Sequence, residues 1–420
     1  MFSLRKYLLN HLGPGLITGA ADDDPSGIAT YSQAGAQFGY AMLWSVFLTT
    51  PLMVGIQVVS ARIGRVTGHG LAANLREYYP RPLLVFVVSL LLVANTINIA
   101  ADIGAMGEAL QLVVGGPAHG HAIIFGVLAV LMQLFLPYSR LAPVLKWLTL
   151  ALFAYVLVLF TINVDWLPLL KGTLLPPLKL SGDYLMLLVA VLGTTISPYL
   201  FFWQASQEVE DQRATDGDEP LKDAPKQVHR HLRRIKIDTW VGMAFSNAIA
   251  FCIMLTTAAT LHEAGITNIQ TSAQAAEALR PIAGNSAFLL FALGIIGTGL
   301  LAIPVLAGSA AYAVAEAFKW PIGHAKSLSD AKGFYFIITV ATLIGVSIDF
   351  TSIDPIKALL WSAVVNGVIS VPIMAVMMRM AVRPEIMGTL TIRPRLQRLG
   401  WFATGLMALA VVAMFGSMMF

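Results

Sequence analysis

Apolar runs long enough to cross a bilayer recur along the whole chain, and charged residues fall almost entirely between them. A membrane-spanning helix takes about 20 predominantly apolar residues. Seven windows, 41–61, 82–101, 184–207, 239–261, 286–315, 358–378 and 399–420, contain no Asp, Glu, Lys or Arg. Four weaker windows, 12–38, 120–138, 143–164 and 333–348, complete an expected set of eleven spans. The chain therefore reads as an all-α integral membrane protein with 11 transmembrane helices. The first span has no small-residue cleavage pattern, so no removable signal peptide is expected.

Two of these windows are interrupted near their middles. In the first, Asp22-Asp23-Asp24-Pro25-Ser26-Gly27 breaks an apolar run; in the sixth, Thr194-Thr195-Ile196-Ser197-Pro198 does the same. Proline removes a backbone donor and disfavours helix at the residue before it. In lipid, freed backbone groups are tolerated only where they line a cavity or are buried in protein. Spans one and six hold matching places in two five-helix halves, about 10–165 and about 183–380, with an extra helix over 399–420. Paired interruptions of this kind point to a transporter site between inverted repeats, where unwound carbonyls and half-helix C-terminal ends favour a cation. One membrane domain over 1–420 is expected, and its longest polar segment, 208–238, reads as a cytoplasmic connector between the halves.

Composition agrees with this pattern, and charge adds an orientation. Hydrophobic residues make up 57% of the chain and charged ones 12%, about half the charged share of a soluble domain. With the N-terminus inside, alternate loops collect 23 of the 27 Lys and Arg residues, leaving Lys171, Lys179, Arg280 and Lys357 outside. Cytoplasmic loops carry such an excess, which places the N-terminus in the cytoplasm and the C-terminus outside, in the plasma (inner) membrane. The same asymmetry explains the formal charge of +4; membrane lipid is the expected surrounding, and no nucleic-acid partner is implied. The one cysteine, Cys252, lies inside a span, which excludes an intramolecular disulfide.

The two interruptions offer carboxylate oxygen, the hydroxyls of Ser26, Thr194, Thr195 and Ser197, and freed carbonyls, with no Cys, Met or His among them. An all-oxygen set suits hard cations such as Mg²⁺, Ca²⁺ or Mn²⁺, and Na⁺ is compatible with it. Mg²⁺ keeps several waters, and small residues such as Ser26, Gly27 and Ser197 leave room for them. Successive helical residues point about 100° apart, so three neighbouring aspartates cannot all face one ion. Asp24, directly before the proline, is the primary ligand; Asp23 is second, holding a coordinated water; Asp22 lines a vestibule or bonds another helix.

The stretch "GPGLITGAADDDPSGIATYSQAGA" is similar to the first helix of the NRAMP divalent-metal transporters, whose pattern is close to GPG…DPGN…QSGA. "GTTISPY" resembles the sixth-helix A-x-x-M-P-H stretch of that family, and "NIAADIGAMGEAL" its third-helix T-D-L-A-E segment. The resemblance implies a LeuT-like fold with two inverted five-helix repeats, helices 1 and 6 broken at mid-membrane, and alternating access. The family's metal-binding aspartate falls on Asp24, its asparagine on Gly27, its methionine on Ser197 and the alanine whose carbonyl can contribute on Thr194. Losing a thioether removes a filter against hard ions, and the combination resembles the divergent, magnesium-associated branch. Of the groups tied to proton movement, the sixth-helix histidine falls on Tyr199. Asp102 keeps one third-helix acid, Ala105 takes the second position, and Glu108 follows one turn later. Window 333–348 has no basic residue. The expectation is a non-enzymatic secondary transporter of a hard divalent cation, Mg²⁺ and also Mn²⁺, with weak or no proton coupling and no cofactor beyond its cargo.

Rival expectations are a proton-coupled Mn²⁺/Fe²⁺ importer of the same family and a sodium-coupled amino-acid transporter of the same fold. A cation channel lacks a repeated filter loop. Asn366 reads as a neutral oxygen lining the path or as an interhelical hydrogen-bonding group, and Asn95 and Asn98 share that ambiguity. Asp102 reads equally as a structural acid. The small residues of 294–311 point to close helix packing.

Overall fold

The computed structural model describes residues 13–135, 149–162, 164–175, 181–323, 326, 328–350 and 354–419. All regular structure among them is helical. Numbering only helices of eight residues or more, the order is α1 (Pro14–Asp22), α2 (Pro25–Phe38), α3 (Leu43–Thr67), α4 (Leu71–Tyr78), α5 (Arg81–Val114), α6 (Ala118–Phe135) and α7 (Trp166–Leu174). There follow α8 (Gly182–Thr195), α9 (Pro198–Ala214), α10 (Val228–Thr257), α11 (Ala287–Phe318), α12 (Lys332–Asp349), α13 (Pro355–Met380) and α14 (Pro394–Ser417).

Among the described residues, eight helical stretches are long and apolar enough to cross a membrane, and Lys332–Ile348 is a shorter apolar helix. Within the window 143–164 the short helices Thr149–Leu152 and Phe153–Val158 form; its residues 143–148 and 163 lie outside the described residues. Arg5, Lys6, Arg140, Lys146 and Lys179, used in the charge argument, also lie outside them. The polar segment 208–238 is mostly helical: α9 runs on to Ala214 and α10 starts at Val228.

Helices without an aqueous face have no polar side on which to separate, so packing at close range holds them together. The long α5 lies along α11 and α12, α8 along α13, α9 along α3, and α1 along α10. Small residues permit two of these approaches. A Cβ on Gly19 would collide with the Gly242 backbone, and one on Gly193 with the Ala363 carbonyl. In the small-residue run of α11, Gly299 meets Met106 of α5 and the Pro25 ring. These contacts bring α1, α2, α5, α8 and α9 around one buried point.

Candidate metal-cation site

That point is where α1 gives way to α2 and α8 to α9. Asp23 (φ −82°, ψ 53°) and Asp24 (φ −70°, ψ 170°) separate the first pair. Ile196 (φ −119°, ψ 63°) and Ser197 (φ −86°, ψ 136°) separate the second. Each interruption is thus two non-helical residues followed by a proline that opens the next helix, where its missing N–H costs nothing.

Side chains complete both interruptions. Asp24 Oδ1 accepts from the Gly27 N–H at 2.8 Å and from the Ser26 hydroxyl at 2.7 Å, capping α2. At the other interruption the Ser197 hydroxyl reaches the carbonyls of Gly193 at 2.7 Å and Thr194 at 2.9 Å, taking up oxygens left at the end of α8. The capping carboxylate also faces the positive end of the α2 dipole.

The second oxygen of Asp24 faces the other helices. Asn98 of α5 donates to Oδ2 at 2.9 Å, and the Tyr199 hydroxyl of α9 lies 3.4 Å away. Tyr199 also donates to the Ala21 carbonyl at 3.1 Å, tying α9 to the end of α1. Gly27 brings α2 against α8: a Cβ there would lie 3.2 Å from Thr194 Oγ1. Asp24 is 1% exposed, with three donors, Gly27, Ser26 and Asn98, bonded to it and the Tyr199 hydroxyl close by. Hydrogen bonds to a charged group contribute about 1.5–3 kcal/mol each, which offsets part of the carboxylate's desolvation.

Asp24, Ser26, Gly27, Thr194, Ser197 and Tyr199 therefore come together. Asp102, fully buried on α5 one turn beyond Asn98, is near enough to Asp24 for their charges to repel. Asn366 is 1% exposed, and neither its Oδ1 nor its Nδ2 has a hydrogen-bond partner among the described residues. It sits on α13 one turn before Ser370, whose hydroxyl donates to the Ile196 carbonyl at 2.6 Å. The other two aspartates turn away from Asp24 toward α10: the Ser246 hydroxyl lies 2.5 Å from Asp22 Oδ2 and 3.0 Å from Asp23 Oδ1. Glu108 lies apart, accepting from the Ser272 hydroxyl at 2.8 Å.

Two residues absent from the sequence-derived site, Ser370 and Ser246, belong to its surroundings, as does Asn98, which the sequence left open between path-lining oxygen and interhelical hydrogen bond. For Asn98 a signal was available, since Asn98 and Asp102 are four apart and share one face of α5. Nothing local marks Ser246 or Ser370, which join the site only through helix packing.

A cavity lies among the helices that meet here, its lining ending at Ala190, one turn before Thr194 on α8. Its volume is about 390 Å³, and it is lined by α2, α8, α13 and the segment after α10, including Gln33, Met186, Ala190, Asn268, Lys357 and Trp361. On the opposite side, α1 packs along α10 and meets α9, and side chains tie α9 to α10, Gln204 to Thr239 and Glu208 to Arg234. The chemistry available is that of oxygen: the Asp24 carboxylate, the hydroxyls of Ser26, Thr194, Ser197 and Tyr199, interrupted-helix carbonyls and two carboxamides. The Asn98 oxygen is buried without a partner, so a turn of that amide would offer a neutral ligand in place of a donor.

The family described as natural resistance-associated macrophage protein-like (Nramp) matches residues 15–417. A divalent metal cation transporter, MntH, from Klebsiella pneumoniae is 30% identical over 346 residues, covering 80% of this chain and 79% of that protein. The crystal structure of the Eremococcus coleocola manganese transporter aligns with a TM-score of 0.76 at 15% identity, covering 98% of this chain and 87% of that one. MhsT in complex with L-phenylalanine aligns with a TM-score of 0.62 at 12% identity, covering 97% of this chain and 98% of that one. The last two likenesses establish the fold, which is LeuT-like.

Proposed function

The chain belongs to the Nramp family, and from that premise we propose that it carries divalent metal cations across a membrane by alternating access. The observation that carries this reading is the buried Asp24 carboxylate set between two interrupted helices, α1/α2 and α8/α9; a cavity between α2, α8 and α13 supplies space on one side. A cation arriving through the cavity exchanges with the donors of Asn98 and Tyr199 and is met by Asp24, the Thr194 carbonyl and Ser197. Asn366 supplies a further oxygen directly or through water, whereas Asp23, the sequence's second choice, is held to Ser246 in this arrangement. The relatives' names favour manganese as a cargo, as in a proton-coupled importer of this family.

A second reading, magnesium as cargo with weak or no proton coupling, is favoured by one specific feature. Neither interruption contains a Met, Cys or His; Ser197 and Tyr199 stand where the family resemblance puts a thioether and an imidazole. Oxygen ligands bind hard ions without selecting against them. The absence of any basic residue in 333–348 supports weak coupling in the same way. This proposal includes eleven spans in two inverted halves, about 10–165 and 183–380, with the N-terminus cytoplasmic and the C-terminus outside.

Uptake into proteoliposomes, with internal pH recorded at the same time, separates the readings. Saturable Mn²⁺ uptake inhibited by millimolar Mg²⁺ without internal acidification supports the hard-ion reading. Mn²⁺ uptake with acidification and no Mg²⁺ competition supports the proton-coupled one. Absence of saturable flux for either ion overturns both.

A further inference from the structure

The nine residues of α1 are fastened to α10 at both ends. At the start, one carboxylate takes every free backbone donor: Asp238 accepts from Gly13 at 3.0 Å, Gly15 at 2.7 Å and Leu16 at 3.2 Å, and Pro14 has none to give. These are the orphan N–H groups of a helix N-terminus, which need partners when buried. At the other end, two turns further along α10, the Ser246 hydroxyl meets Asp22 and Asp23. Between the two fastenings, Gly15 and Gly19 bring the α1 backbone against Thr239 and Gly242.

The same stretch of α10 holds α9. Arg234, one turn before Asp238, is ion-paired with the buried Glu208 and lies 3.3 Å from Asp211. Gln204 donates to the Thr239 hydroxyl at 2.9 Å. The segment 234–246 of α10 is therefore the common anchor for the two half-helices that close the side opposite the cavity. Alternating access requires that side to open, and α1 can leave its place only by breaking these bonds or by moving together with α10.

We propose that Asp238 and Ser246 form a two-point latch holding α1 on α10, and that release of this latch opens the path on the side away from the cavity. Resting as it does on the alternating-access reading, the latch makes Asp238 a positioning residue. It touches no cargo, and it sets the balance between the two arrangements. A weakened latch populates the state open on the α1 side, and the apparent affinity for cation offered from the cavity side falls in proportion to the competent fraction.

The test uses the full-length protein with Cys252→Ser and a reporter, Thr18→Cys, since Thr18 is fully buried on α1. The rate at which a thiol reagent modifies the reporter reads opening directly and needs no cargo, so a wrong cargo assignment does not blur the result. Asp238→Ala is expected to raise that rate at least about fivefold, Ser246→Ala by less, and Asp238→Glu to return it toward the parent. In proteoliposomes the Asp238→Ala protein is expected to show a raised KM for external Mn²⁺ with kcat unchanged or higher. A parental modification rate in both Asp238→Ala and Ser246→Ala overturns the latch. So does a raised rate that the Glu variant fails to reverse. A loss of folding in the Ala variant shifts the measurement to Asp238→Asn, which keeps one acceptor oxygen; parental accessibility there also overturns it.

Discussion

Asp24 accepts from Gly27 and Ser26 at one carboxylate oxygen and from Asn98 at the other, with the Tyr199 hydroxyl 3.4 Å from that second oxygen. A cation that binds it replaces donors with its own charge, so its affinity rests on that one negative group. Asp24→Asn is expected to raise the half-saturating cation concentration at least tenfold, about 1.4 kcal/mol, or to remove saturable uptake; normal transport by this variant would falsify the site assignment. Ser197→Met places a thioether at the end of α8, and softer ions should gain relative to Mg²⁺. Competition between Cd²⁺ and Mg²⁺ for Mn²⁺ uptake reads the shift, and an unchanged ranking removes ligand softness as the basis of selection. Asn366 poses a different problem, because a buried amide without partners costs about 1–3 kcal/mol. Asn366→Leu should therefore raise the thermal midpoint while weakening cation uptake, a trade of activity for stability. A lower midpoint would mean that the amide has a structural partner after all.

Proline alone did not decide where the helices stop. Pro51, Pro304 and Pro372 lie within the continuous helices α3, α11 and α13. Pro25 and Pro198 instead open new ones. Only Asp24 is set apart by its own side chain, which caps the helix its proline opens; Ser197 bonds back to the preceding turn just as Thr49 and Thr50 do in α3. Asp24 takes an N–H at the start of α2, and Ser197 returns its hydroxyl to two carbonyls at the end of α8. Before Pro51, Thr49 and Thr50 bond back to the Val46 carbonyl within the same helix. The interruptions were legible in the sequence because a polar residue and a proline coincide at mid-span in windows of matching order. Contacts between elements depend on small residues just as directly. Gly19→Val pushes α1 off Gly242, and overpacking of this kind costs about 1–3 kcal/mol. The expected result is a lower thermal midpoint in detergent together with faster modification of a Thr18→Cys reporter; an unchanged midpoint would show that α1 moves aside at no cost.

For the whole molecule, the driving force follows from charge. An inside-negative potential of 100 mV favours entry of a divalent ion by about 4.6 kcal/mol, at roughly 2.3 kcal/mol per charge. Under the weak-coupling reading, a potassium diffusion potential alone should concentrate the ion in proteoliposomes, with no pH gradient imposed. Uptake that demands an inward proton gradient returns the protein to the proton-coupled reading. The sequence by itself determined the membrane class and marked the two interruptions, with Asp24 as the candidate ligand beside the first, because bilayer thickness, backbone hydrogen bonding and the expense of a buried carboxylate all act on local sequence. It also separated the three aspartates, since neighbours on a helix diverge. Only the tertiary structure decided their partners. Asn98, Ser246, Ser370 and Asp238 reach the interrupted helices across packing interfaces 74 to 225 residues distant in sequence. No local pattern encodes such meetings, because the register of one helix against another is set by the sum of its close contacts.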